Sequence, residues 1–219
     1  MFRSTLIYSI IMICFFALSS CRDECDKVTT RYDITPALKD FYFKKGTYWV
    51  YEDTANHVVD SQYVYADTSG FSYTTTKGNK GGYCQLMVEF YHVRVASSLS
   101  IGDKDSFDFN SFGSYYSKQE DLSIGVAYRG SNTVLWLNAE VGKTYNSYRF
   151  NGIGNQNVNG VDYKNTYWSS VILGATTNNY LKYNTDYFVT PKIGVVKKVE
   201  FGTPTGTRTW LLNRYFIQS

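Results

Sequence analysis

The sequence predicts an all-β protein: an open, curved antiparallel sheet or incomplete barrel of about ten strands, with one short helix near the N-terminus. Three observations predict it. The chain of 219 residues holds 21 tyrosines and 4 tryptophans against 3 prolines, a composition weighted toward residues that suit a pleated sheet. Beyond Lys45, short runs of Tyr, Val, Trp and Thr alternate with polar or glycine-bearing stretches. Between those runs there is no helical period, which excludes parallel βαβ units. A two-sheet sandwich is the alternative, because periodicity does not report which strand edges meet.

Composition also bounds function. With 43% hydrophobic and 18% aromatic residues the chain can bury enough apolar surface to exclude disorder. Its 22 basic and 19 acidic residues give a net charge of +3, too little to make nucleic acid a partner. Two histidines are too few for a histidine metal cage, and no cofactor is expected.

The elements follow in order. Residues 1–20 read as a secretory signal: Arg3 supplies the positive start, and Leu6 to Leu18 are almost wholly apolar. At 1.5 Å per residue this stretch is too short for a hydrocarbon core of about 30 Å. Leu18-Ser19-Ser20-Cys21 follows at once and resembles the bacterial lipobox. The resemblance implies a mature chain that begins at Cys21, bears a thioether lipid and an acylated amino group, and is lipid-anchored to the outer membrane. Buried methylenes contribute about 0.8 kcal/mol each, so a multiply acylated cysteine needs no basic patch to hold. The alternative is an ordinary signal peptide that leaves Cys21 a plain thiol. Arg22-Asp23-Glu24 is similar to export signals that send Bacteroidota-type lipoproteins to the cell surface, and it reads equally well as a solvated tether.

Residues 21–33 carry no period and are expected to be a flexible tether; residues 34–219 are expected to form a single β-rich domain. Once Cys14 leaves with the signal and Cys21 is lipidated, Cys25 and Cys84 remain, and in an oxidising compartment such a pair is expected to bridge. The bridge would contribute about 4 kcal/mol on the chain-entropy model. Two unrelated cysteines are the competing reading.

In Ile34-Thr35-Pro36-Ala37-Leu38-Lys39-Asp40-Phe41, Thr35 can cap and Pro36 suits a first helical turn, with Ala37, Leu38 and Phe41 on one face. Strands are expected at 47–53, 58–67, 71–76, 84–95, 133–138, 144–151, 161–173 and 180–190. Within 84–95 the apolar side changes phase at Phe90 and Tyr91, which predicts a β-bulge there. Asn151-Gly152-Ile153-Gly154-Asn155 reads as a break between strands. At the end, Ile193, Val195, Val199 and Phe201 are expected on one face and Lys198 and Glu200 on the other, before residues 202–206 turn the chain into a final strand, 207–217. Gly46, Gly142 and Gly194 each precede a strand, where a positive φ would reverse the chain.

Phe41-Tyr42-Phe43-Lys44-Lys45-Gly46-Thr47-Tyr48-Trp49-Val50-Tyr51, Val141-Gly142-Lys143-Thr144-Tyr145 and Ile193-Gly194-Val195-Val196-Lys197 resemble, in order, uncharacterised Bacteroidota-type outer-membrane lipoproteins. The resemblance implies a secreted, lipid-anchored β-domain and brings no catalytic residues with it.

No catalytic motif surrounds His57 or His92, and the strand-borne Glu52, Glu89, Asp162 and Glu200 read as a solvated face more readily than as a glycosidase pair. Asp103 to Asp108 alternates oxygens but lacks the glycine and distal glutamate of a calcium loop. Tryptophans 49, 136, 168 and 210 and the tyrosines suit packing first and stacking of sugar rings second. The densest group, Tyr163, Tyr167, Trp168, Tyr180, Tyr183 and Tyr187, is the candidate ligand platform. The expected function is therefore a non-enzymatic binding or structural module at the outer membrane, partnered by the membrane through its lipid and by a glycan or an envelope protein. A glycan-binding accessory lipoprotein is the first alternative, a hydrolase the second and a lipid- or peptide-binding concavity the third.

Overall fold

The computed structural model describes residues 30–34, 36–77, 83–99, 107–113, 122–128, 133–136, 139–145, 148–172 and 183–218. Cys21, Cys25, Tyr180 and residues 103–106 lie outside them, as do the side chains of Cys84 and Trp136. The strands are β1 (Thr30–Tyr32), β2 (Tyr48–Asp53), β3 (Val59–Lys77), β4 (Tyr83–Ser97), β5 (Phe107–Gly113), β6 (Leu122–Tyr128), β7 (Thr133–Trp136), β8 (Thr144–Tyr145), β9 (Tyr148–Val158), β10 (Val161–Val171), β11 (Asn184–Thr190), β12 (Gly194–Thr203) and β13 (Gly206–Phe216). The one helix among the described residues, α1, is Pro36–Lys39.

Two compact units are present. The smaller contains residues 30–31 and, within Tyr73–Met87, the facing ends of β3 and β4; the larger contains Tyr32–Ser72 and Val88–Ser219. The frame of the larger unit is eight antiparallel strands curled into one open sheet, a half-barrel, in the order β4-β3-β2-β13-β12-β11-β10-β9. β5, β6 and β7 extend it beyond β4, and β8 extends it beyond β9. One continuous sheet sets the sandwich alternative aside. β13 lies between β2 and β12, so the C-terminal strand joins the N-terminal half of the sheet to the rest.

Period-two alternation sorts side chains between two faces. Trp49, Tyr51 and Asp53 of β2 turn inward opposite Tyr215, Leu212 and Trp210 of β13. Tyr187 and Val189 of β11, Val171 of β10 and Val93 and Val95 of β4 complete that core. Ile34, Phe41 and Phe43, flanking α1, are buried in it, with Phe43 edge-on to Trp49 at 5.0 Å and Tyr42 stacked on Tyr91 at 3.8 Å. The Tyr51 hydroxyl donates to the Val195 carbonyl at 2.9 Å, and the Trp49 indole donates to the Ile193 carbonyl. These bonds satisfy polar tips buried with their rings.

Several expectations change. Thr30–Tyr32, expected within the tether, form β1 and pair with β4; a backbone ladder does not require an apolar period. α1 starts at Pro36 as expected, but Ala37 faces solvent while Phe41 is buried. Tyr91, Val93 and Val95 are buried, yet β4 pairs with β5 from Phe90 to Val95 without a register shift, so the expected bulge is absent from that ladder. Asn151 to Asn155 run inside β9 and are not a break.

In β12 a register shift against β11 inserts Val196, so that Val195 pairs with Val189 and Lys197 with Phe188. An inserted residue reverses the alternation beyond it. Val195 and Val199 thus fall on opposite faces, Phe201 is exposed, and Lys198 and Glu200 turn to the inner face beside Tyr187 and Thr185. Thr203 pairs with Gly206 across Pro204-Thr205, which gives the expected hairpin. Gly46, Gly142 and Gly194 all have positive φ, at 99°, 80° and 100°.

Candidate functional site

The described members of the aromatic group singled out in the sequence do not form one surface, and Tyr180 lies outside the described residues. Tyr163 and Tyr187 are buried, and Tyr167 packs on the core from the inner side of β10, edge-on to Phe41 at 6.1 Å. Burial raises the Tyr163 and Tyr167 pKa values, with smaller contributions from Tyr215 and Asp40 respectively. Tyr183 is half-buried, and its carbonyl accepts from the Thr185 hydroxyl at 2.9 Å. Among the described members of the group only Trp168 presents its ring, 41% exposed on the outer face. The reason is the strand period: neighbours in sequence point to opposite sides.

Trp168 is held by specific contacts. Phe188 lies opposite it on β11, and the two rings stack 5.7 Å apart at 11°. The indole N–H donates to Asp186 Oδ2 at 3.2 Å, and Ser170 Oγ donates to Asp186 Oδ1 at 2.6 Å. Asn151 Nδ2 in turn donates to Ser170 Oγ at 2.7 Å. On the other side, β9 places Gly152 opposite Trp168. Between the Trp168–Gly152 and Ser169–Phe150 pairs the register shifts, so Asn151 is the extra residue of a bulge. Gly152 has φ 146°, and a Cβ built on it meets nothing within 4 Å. The ring therefore has Phe188 on one side and, toward β9, a partner position without a side chain on the other. Lys197 stands over the Phe188 ring at 4.9 Å, and Arg149 pairs with Ser170 across the β9–β10 ladder.

A second aromatic row, not anticipated from the sequence, crosses β13, β2 and β3. Tyr48 pairs with Phe216 on one side and Tyr63 on the other. Phe216 is 49% and Tyr63 52% exposed, and Tyr48 stacks on Phe216 at 6.0 Å. Their outward alternation is visible locally, but the register that aligns them is not.

The inner face carries charge at the β12–β13 end. Asp53, fully buried, lies 3.1 Å from Arg208 Nε, an ion pair outside hydrogen-bond geometry, and accepts from Ala55 N–H at 3.1 Å and Asn56 Nδ2 at 2.9 Å. Lys198 pairs with Glu200 at 2.9 Å, and the Trp210 indole donates to Glu200 at 3.1 Å. Lys198 and Arg208 both lie over the Trp210 ring, at 5.1 and 5.4 Å. Each carboxylate has a cation beside it, so the cluster is a closed charge network.

The contacts of the remaining candidates among the described residues are as follows. His57 Nδ1 lies 2.8 Å from Glu52 Oε1, but its ring is 80% exposed and Glu52 is also held by Asn213. His92 packs against Phe90 at 5.1 Å. Glu89 is occupied by the Ile34 N–H at 2.7 Å and by Lys39 at 3.4 Å, and Asp162 accepts from Asn157. Among the described residues no cluster of three or more His, Cys, Asp or Glu side chains could hold a metal ion, and no helix is long and apolar enough to cross a membrane. Comparison with protein-family models, curated proteins and solved structures gives no match, so the half-barrel and its outer face are the grounds for a functional reading.

Proposed function

We propose that this chain is a lipid-anchored, non-enzymatic binding module of the cell envelope, tethered through Cys21 to the outer membrane and engaging its ligand with the outer sheet face. The observation that supports this most directly is the division of aromatic residues. The inner face uses its rings to fill the half-barrel, whereas Trp168 and the Phe216–Tyr48–Tyr63 row present theirs to solvent. Exposed rings on a rigid sheet supply large contact area at low ordering cost. The His57–Glu52 pair is solvent-exposed, an arrangement that favours binding over hydrolysis.

The anchor is tested by Cys21→Ala. The variant should move from the membrane to the soluble fraction and lose metabolic incorporation of labelled fatty acid. Continued membrane attachment without label would defeat the reading.

A further inference from the structure

We infer that Trp168, Asn151, Ser170 and Asp186 form a subsite for one neutral hexopyranose unit of a glycan, a proposal that rests on the chain being a binding module.

The inference follows from what surrounds the ring. One side of the indole is occupied by Phe188, and the indole N–H is tied to Asp186, so Trp168 is fixed before any ligand arrives. On the side toward β9 the residue opposite Trp168 is Gly152, which carries no side chain, and Asn151 bulges the strand there. Bulges commonly re-aim side chains at functional sites. Beside the open ring, Asn151, Ser170 and Asp186 form a hydrogen-bonded chain that still offers an amide oxygen and carboxylate lone pairs. Arg149, exposed and opposite Ser170 on β9, adds donors at its margin.

This set selects by exclusion. A wholly apolar ligand would strip water from Asp186 without replacing its hydrogen bonds. A cationic ligand would meet Arg149, and an anionic one would meet Asp186. A neutral sugar ring fits both requirements: its apolar C–H face stacks on the indole, and its hydroxyls act as donors to Asp186 and Asn151 and as acceptors from Arg149.

The test is tryptophan emission of the full chain in a sugar-free detergent, titrated with cellohexaose, maltohexaose and N-acetylchitohexaose to about 5 mM, since a single-platform site binds with Kd near the millimolar range. At least one hexaose should give a saturable blue shift as it covers Trp168. Trp168→Ala should abolish the shift and weaken binding by calorimetry at least about tenfold, and Trp168→Phe should retain part of it. Should Trp168→Ala lose its thermal transition, Asn151→Ala, which leaves the Trp168–Phe188 stack in place, must weaken binding about fivefold. Absence of a saturable shift with all three sugars, unchanged affinity in the folded variants, or a shift given only by a proline-rich peptide would each overturn the subsite. None of these results bears on membrane attachment, which Cys21→Ala reads separately.

Discussion

Tyr51 and Tyr91 are both buried phenols on the inner face, yet only one has a partner for its hydroxyl. Tyr51 donates to the Val195 carbonyl, whereas the Tyr91 hydroxyl has no hydrogen-bond partner. Tyr51→Phe should therefore cost about 1 kcal/mol in urea unfolding, while Tyr91→Phe should be neutral or stabilising because it removes an unsatisfied group. Equal destabilisation by the two would show that the hydrogen bond is not the cause. Desolvation by burial raises both pKa values, with Asp60 and Asp67 respectively as the next contribution. A phenol whose folded pKa lies above its unfolded value of about 10 keeps its full stabilising contribution below that pH. As pH rises past about 10 the unfolded state loses the proton first, and stability falls by about 1.4 kcal/mol per pH unit per phenol until the folded pKa is reached. Denaturant titrations in alkaline buffer should show this decline, with a shallower slope in Tyr51→Phe. Asp53 is the opposite case, a buried carboxylate with three partners; Asp53→Ala strands Arg208 and unties the turn after β2, and should cost about 3–5 kcal/mol. A loss below about 1 kcal/mol would mean that the pair is not coupled to folding.

At the scale of elements, turns and bulges decide more than the strands themselves. Gly194 combines φ 100° with a close approach: a Cβ there would stand 3.1 Å from Trp49 Nε1 and 3.4 Å from Phe43 Cζ. Gly142 has φ 80° with nothing within 4 Å. Gly194→Ala should cost about 2–3 kcal/mol and Gly142→Ala about 1, read as denaturant midpoints; equal costs would show that backbone conformation alone matters. The positive φ before these strands was legible in the sequence, because a glycine at the head of a β-run has a local reason to be there. The bulges were not legible. Val196 looks like any other core valine, and only its place against Phe188 and Val189 makes it the extra residue that turns Lys198 and Glu200 inward. Asn151-Gly152 likewise has the composition of a loop, and its role as a strand bulge opposite Trp168 depends on the β10 ladder.

For the whole molecule, the central fact is that β13 closes against β2. Chain ends far apart in sequence are adjacent in the sheet, so much of the core forms only after long-range pairing. Truncation after Thr205 should leave β2 and β12 without their shared neighbour and abolish cooperative unfolding; a sharp thermal transition in the truncated chain would contradict this. Such topology also predicts refolding on the millisecond-to-second scale, checked by stopped-flow tryptophan fluorescence, rather than the microseconds of local folds.

The sequence by itself determined the β class, the start of the short helix α1 at Pro36, the glycine turns at the heads of β2, β8 and β12 and the final hairpin, because each follows from propensities and periods within a few residues. Tertiary structure alone decided which aromatics face out. Tyr163 and Tyr187 belong to the core and Trp168, Tyr48, Tyr63 and Phe216 to the surface, a sorting made by strand register and by bulges that reverse it. Alternation is a local property of one strand, but the face it presents is fixed by hydrogen bonds to residues elsewhere in the chain.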